Sequence, residues 1–265
     1  MKTLHIFVTT DRPDQYVNPI VYCIEQGTKQ IIFVQLEDSE TEQINLNSLK
    51  TNVYKLIQDL STGYYKYYTG DLKDTVVSLD TVYNNADKLA MLKAKYSFCL
   101  SDNIDWDVKR ISKLRKYISS LRKNKEAIID VTAVSKVYIG DIFACCLLEN
   151  IERLYTFELL VKPNFDQPWE TLIHNLEITD EKGKTYKYKY PNLAVRNIFQ
   201  ECTKSVLFRT TPLFVSIVGT VLFIALALAA TSIFGFSSNF AQAMSTVGTV
   251  LGIISFFLIY FPIRN

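Results

Sequence analysis

From Thr210 to Ile263 the chain carries no Asp, Glu, Lys, Arg or His, and the run is bounded by Arg209 and Arg264. A helix needs about 20 apolar residues to cross the hydrocarbon core of a bilayer. The run is too long for one span and fits two, at 212–234 and 241–262, with GFSSNF between them as an uncharged turn. Inside lipid only helices and closed barrels satisfy the backbone, and this composition predicts helices. The alternative is a hairpin buried in a soluble core, but such a hairpin usually shows a polar face. Lys204 and Arg209 precede the first span, Arg264 follows the second, and the turn has no positive charge. The positive-inside rule then puts both termini in the cytoplasm, and the expected location is the cell inner membrane. The start of the chain, MKTLHIFVTTDRP, has no long apolar stretch and does not read as a secretory signal.

The residues before this run read as ordinary globular material, long enough to bury one core. Basic and acidic residues nearly balance, 29 against 27, so the totals do not mark a binder of duplex DNA or RNA. The five cysteines form no CxxC and no metal spacing with His5 and His174, so reduced thiols and no metal are expected.

Leu4–Thr9 is an apolar strand that stops at a polar loop. Val17, Ile20, Val21 and Ile24 then recur at helical steps, with Gly27 as a plausible end, and residues 30–36 form a second apolar strand. Continuous apolar strands flanking a helix are the mark of a parallel sheet covered on both faces. A helix is expected at 46–60, strand pieces at 64–68 and 75–79, and a helix at 84–95. Residues 105–125 read as one helix, with Val108, Ile111, Leu114, Ile118 and Leu121 on its apolar side. Its other side carries Lys109, Arg110, Lys113, Arg115, Lys116, Arg122 and Lys123, either a solvated surface or an attraction for anionic lipid or a nucleotide. Strand 127–132, a turn, helix 137–149 and strand 153–160 repeat the strand–helix–strand pattern. The expected fold is therefore α/β: a Rossmann-like, doubly wound, mainly parallel sheet, followed by the two-helix transmembrane hairpin. Residues 185–190 alternate Tyr and Lys like a half-exposed strand, and 191–208 form an amphipathic connector. Three parts are expected: a sensor-like domain at 1–165, a polar extension and connector at 166–208, and the hairpin at 209–263.

In such a sheet ligands bind outside the carboxyl ends of the strands. Two loops there carry useful chemistry: Thr9, Thr10, Asp11 and Arg12 after the first strand, and Asp130, Thr132, Ser135 and Lys136 after the later one. Hydroxyls, a helix amino end and the charges of Lys136 and Arg12 suit a phosphodiester. Simple capping by Thr132 or Ser135, with Asp130 as a structural hydrogen-bond partner, explains the second loop equally well. The chain has no GxGxxG after the first strand, no GxxxxGK[ST] and no GxSxG, so no dinucleotide cofactor, P-loop ATPase or hydrolase elbow is expected.

The pair HIFVTTDRP and IIDVTAVSK, each a strand running into a loop, resembles the CARF domains, the CRISPR-associated Rossmann-fold sensors, over residues 3–160. Ala133 and Val134 stand where that family commonly has glycines. The resemblance implies a pocket for a cyclic oligoadenylate, tetra-adenylate above others, formed across a homodimer axis, with Thr9, Thr10, Asp11, Thr132, Ser135 and Lys136 as ligand residues. With the hairpin, it further implies an antiviral membrane effector whose homo-oligomer opens a pore or leak in the lipid bilayer. Thr220, Ser245, Thr246 and Thr249 are then pore-lining candidates, and Gly248/Gly252 and Ala225/Ala229 sit at close-packing spacings. The alternatives are a ring nuclease that slowly cleaves the ligand and a membrane-tethered scaffold.

Overall fold

The computed structural model describes residues 2–37, 44–164, 166–180, 183–196, 199, 201 and scattered positions between 218 and 252. The chain divides into two compact units, Met1–Gln200 and Glu201–Asn265.

The first unit runs β1 (Thr3–Phe7), α1 (Asp14–Glu25), β2 (Gln30–Leu36), α2 (Leu46–Thr62), β3 (Tyr64–Lys66), β4 (Val76–Ser78), α3 (Leu79–Tyr83) and α4 (Ala86–Phe98). It continues with β5 (Asp105–Ile111), α5 (Leu114–Leu121), β6 (Ala127–Asp130), α6 (Lys136–Leu148), β7 (Leu154–Tyr155), β8 (Glu158–Leu159), α7 (Ile173–Leu176), β9 (Glu177–Asp180), β10 (Gly183–Tyr186) and β11 (Tyr188–Lys189). Five strands pair in the order β5-β2-β1-β6-β7, and every pairing is parallel. Every residue of β1 and of β6 is buried, as the continuous apolar runs require of strands covered on both faces.

Successive side chains of a strand point to opposite faces, and the two faces hold separate cores. Leu4, Ile6, Ile31 and Phe33 pack with residues of α1, α2 and α4. Phe7, Val34 and Ile129 pack with Ile118 of α5 and Ile142 and Cys146 of α6. The doubly wound α/β expectation therefore holds for this unit. Trp169, Leu172, Ile173, Leu176 and Tyr188, from the polar extension, belong to the first of these clusters.

Two expectations are corrected. Residues 105–125 are not one helix: Asp105–Ile111 is the outermost strand, in parallel register with β2 from Gln30↔Asp105 to Leu36↔Ile111. Trp106 and Val108 alternate inward there, Trp106 lying against Phe33 and Tyr54, while Asp107 and Lys109 face out. Exposed charges are what an edge strand needs to avoid pairing with another chain. The apolar spacing from Val108 to Leu121 only imitated a helix, because strand and helix meet at Ile111–Leu114. Residues 153–160 likewise form two short strands rather than one. β7 extends the main sheet, but the Phe157 N–H donates to Thr132 Oγ1 (2.8 Å), and β8 turns away to pair with β11.

The proposed membrane spans fall largely outside the described residues of the second unit. Among the described residues no helix is long and apolar enough to cross a membrane. Those described between 218 and 252 are helical apart from Gly235, and all but Gly248 are exposed.

Candidate functional site

The winding of the sheet decides where the loops go. The chain steps outward from β1 to β2 and β5, then returns to the other side of β1 as β6. This reversal is the switch point at which doubly wound sheets leave a crevice. Ile6 stands beside Asp130 in the β1–β6 register, so both loops leave the sheet at the same level.

Thr9 joins them. Its hydroxyl donates to the Ala133 carbonyl (2.9 Å) and accepts from the Ser135 N–H (2.7 Å). Thr10 holds its own loop: its Oγ1 accepts from the Arg12 N–H (3.3 Å), and its carbonyl accepts from the buried Tyr16 hydroxyl (2.7 Å). Arg12 is paired with Asp14 at 3.0 Å, and Asp11 is exposed.

Asp130 is fully buried. It accepts from the Thr132 N–H (3.0 Å), the Thr132 hydroxyl (2.8 Å) and the Tyr190 hydroxyl (2.8 Å). Burial pushes its carboxyl up to about 6, against the pull of the Tyr190 and Thr132 hydrogen bonds. Thr132 Oγ1 spends its proton on Asp130 and accepts from the Phe157 N–H with one of its lone pairs. These two residues shape the loop from inside. Ser135 caps α6 by position, yet its hydroxyl makes no cap bond; Ser135 and Lys136 are both exposed. The solvent-facing polar groups of the two loops are thus Asp11, the Asp14-paired Arg12, Ser135, Lys136 and the start of α6; of these, Ser135, Lys136 and the helix amino end suit an anionic ligand, while Asp11 opposes one.

Beside Asp11 and Arg12 opens a cleft of about 530 Å³, lined also by Asp14, Tyr65, Tyr67 and Tyr68. These tyrosines come from β3 and the residues after it, an element legible only as a strand piece. Tyr67 donates to the Asp166 carbonyl (2.9 Å) and Tyr68 to Asp59 (2.8 Å). Tyr190, which holds Asp130, lies in the Tyr/Lys alternation, whose period signalled one shared face without naming its partner.

Neither histidine belongs to these loops. His5 Nδ1 meets the Tyr117 hydroxyl at 2.8 Å, and His174 is held between Tyr83 and Tyr96 at 2.8 Å each. Burial and the Lys109 charge lower His5 to about 4. Burial, with Lys88 and Lys95, lowers His174 to about 3. Both stay neutral at pH 7. Among the described residues no group of three His, Cys, Asp or Glu is placed to hold a metal ion.

Of the pore-lining candidates, Thr220 and Ser245 lie outside the described residues. Thr249 is helical and exposed. Thr246 is also helical and exposed, and its hydroxyl donates to the Gln242 carbonyl (2.9 Å).

No protein-family model matches the chain, and no curated protein matches it. Among solved structures, the chain is similar to Enterococcus italicus Csm6 bound to cyclic hexa-2'-fluoro-hexa-dAMP, at 9% identity and a TM-score of 0.35. That match covers all of this chain and 59% of the other, so the chain spans less than two thirds of its length. A likeness that faint carries no argument about ligand or activity.

Proposed function

We propose that the first unit is a CARF-like sensor of a cyclic oligonucleotide, cyclic tetra-adenylate above others, and that residues 209–263 are its membrane-spanning output. The observation that carries the sensor reading is the Thr9 junction. It fixes two loops at the switch point and leaves Ser135 and Lys136 facing solvent, with Arg12 held nearby by its pair with Asp14, so that Lys136 is the cation free to meet a phosphodiester. The tyrosine-lined cleft beside Arg12 gives a base somewhere to stack.

Two further observations support an oligomeric membrane effector. The first lies on α6, whose residues Val137, Gly140, Ala144 and Leu148 recur at helical steps and are exposed, Val137 by 77%. A second copy covering this face buries apolar surface and brings two Lys136 residues towards one ring. The second is that Val221, Leu222, Ile224, Leu226, Leu228 and Ile233 are all more than half exposed in the second unit. A charge-free apolar surface of that kind calls for lipid or partner helices. In this reading the protein sits in the inner membrane with both termini cytoplasmic, and residues 1–165, 166–208 and 209–263 act as sensor, connector and hairpin. Ligand binding favours one arrangement of the hairpins by its differential affinity for it, opening a pore or leak.

The test is calorimetric titration of the full-length protein with cyclic oligoadenylates of several ring sizes, alongside dye uptake by cells expressing it. Lys136→Ala should weaken binding about tenfold or more and suppress ligand-dependent dye entry. Wild-type affinity in that variant removes the site assignment. Tight binding without dye entry or depolarisation leaves the sensor and removes the pore.

A further inference from the structure

At the opposite end of the sheet from these loops, the turns entering β6 and β7 enclose a second cleft of about 240 Å³. Its floor is apolar, with Ala127, Ile129 and Ile151. Its rim carries Arg122, Lys125 and Arg153 against a single acidic residue, Glu152. Among the described residues none of the three cations forms an ion pair. Arg115, two turns back along α5, shows the contrast: it is paired with Glu149 at 2.8 Å.

Asn124 lines the same cleft, and its orientation is set by the backbone. Its Oδ1 accepts from the Glu126 N–H (3.0 Å). That bond fixes which end of the amide is the oxygen and leaves the NH2 group free to donate to a ligand. Asn150, on the facing turn, has a left-handed backbone with φ of 51°, which turns the chain sharply ahead of Arg153. The three like charges around one concavity repel one another, a repulsion that Glu126, which feels Arg153, and Glu149, which feels Arg122, offset in part. An anion with several acceptor oxygens offsets that repulsion and satisfies the donors, and the planar forks of two arginines match a phosphate in geometry.

We propose that this cleft is a binding site for a phosphate group, separate from the crevice at the carboxyl ends of the strands. Either a small phosphorylated solute or the phosphodiester of an anionic lipid headgroup supplies that chemistry. The exposed Lys113, Lys116 and Lys123 on and beside α5 extend the positive surface outward from the rim.

The test titrates the full-length protein, held in a zwitterionic detergent, with inorganic phosphate, glycerol 1-phosphate and short-chain phosphatidylglycerol, using short-chain phosphatidylcholine as control. Saturable binding is expected for at least one of the first three. Arg122→Gln and Lys125→Gln, both at exposed positions, should each weaken it several-fold or more, with unchanged circular dichroism. Arg153→Gln should do the same. Lys116→Gln, outside the cleft, should leave it within about twofold. Binding confined to phosphatidylglycerol assigns the site to a headgroup, and equal binding of the small phosphates assigns it to a solute. Absence of saturable binding to all three overturns the proposal. So does an equal loss in Lys116→Gln, which would mean a diffuse field rather than a site.

Discussion

Replacing Thr9 with valine changes the side chain's size very little and removes one hydroxyl. That hydroxyl donates to the Ala133 carbonyl at 2.9 Å and accepts from the Ser135 N–H at 2.7 Å. A neutral hydrogen bond nets about 0.5–1.5 kcal/mol, and a group stranded away from water costs more. Ser135 is exposed, so water takes over part of the lost bonding, and the expected loss is about 1–2 kcal/mol. For a unit of this size that lowers the midpoint by roughly 3–6 °C. Trp106 and Trp169 are the only two tryptophans of the chain, and both lie in the unit that contains Thr9. Tryptophan fluorescence during urea denaturation of the full chain in detergent therefore reads the relevant unit. Thr9→Ser keeps the oxygen and should recover most of the loss. Amide exchange at Ser135 should speed up about tenfold in the valine variant for each 1.4 kcal/mol lost locally. A valine variant within about 0.3 kcal/mol of wild type, or a serine variant equally impaired, would refute the argument that one hydroxyl couples the two loops.

Acid should destabilise the first unit through His174. Its ring is held neutral down to about 3 by burial and by Lys88 and Lys95, whereas the unfolded chain takes up a proton below about 6.5. Because the unfolded state binds more protons in that window, stability falls as pH falls, by about 2 kcal/mol from this group at pH 5. His5, lowered to about 4, adds in the same direction. Asp130, raised to about 6, opposes both between about pH 6 and 4. Urea midpoints at pH 7 and pH 5 should converge in His174→Gln relative to wild type; an unchanged pH slope would show that the ring is not neutral in the fold. Tyr190→Phe removes a donor to Asp130 at 2.8 Å and should cost about 1.5–3 kcal/mol at pH 7, where the carboxylate is charged. The loss should shrink at pH 5, where the proton on Asp130 weakens the bond. A pH-independent loss would mean that Tyr190 acts only by packing.

The core strands were legible because burial on both faces leaves a local record: a run of apolar residues with no polar alternation, as in Leu4–Phe7 and Gln30–Leu36. The edge strand left no such record. In Asp105–Ile111 only Trp106 and Val108 turn inward before Lys109 and Arg110, too short an alternation to outweigh the three- and four-residue steps that continue from Ile111 into α5. What makes this segment a strand is the seven-residue ladder to β2, an interaction with a partner about 75 positions away that no local window contains. The break at Thr156–Phe157 has the same origin, since Phe157 is turned by a hydroxyl 25 residues earlier.

The site follows the same division. That the two loops meet was legible from the winding rule alone, because strands one and four of such a sheet flank the switch point. The division of labour within the loops was not. In Asp130-Val131-Thr132 the carboxylate reaches two residues forward to the Thr132 N–H, a local turn that short polar residues favour. The tyrosine that completes its shell lies 60 residues away. Once that shell is closed, the Thr132 proton and three of the four acceptor positions of the Asp130 carboxylate are committed to the loop. A group that the fold consumes is a poor recognition group, because binding must first pay the cost of leaving a buried partner unsatisfied. In the sensor reading proposed above, ligand contact therefore moves outward to Ser135, Lys136 and the first amides of α6. Substitution at Thr132 should then reduce affinity only together with stability, whereas substitution at Lys136 should reduce affinity alone.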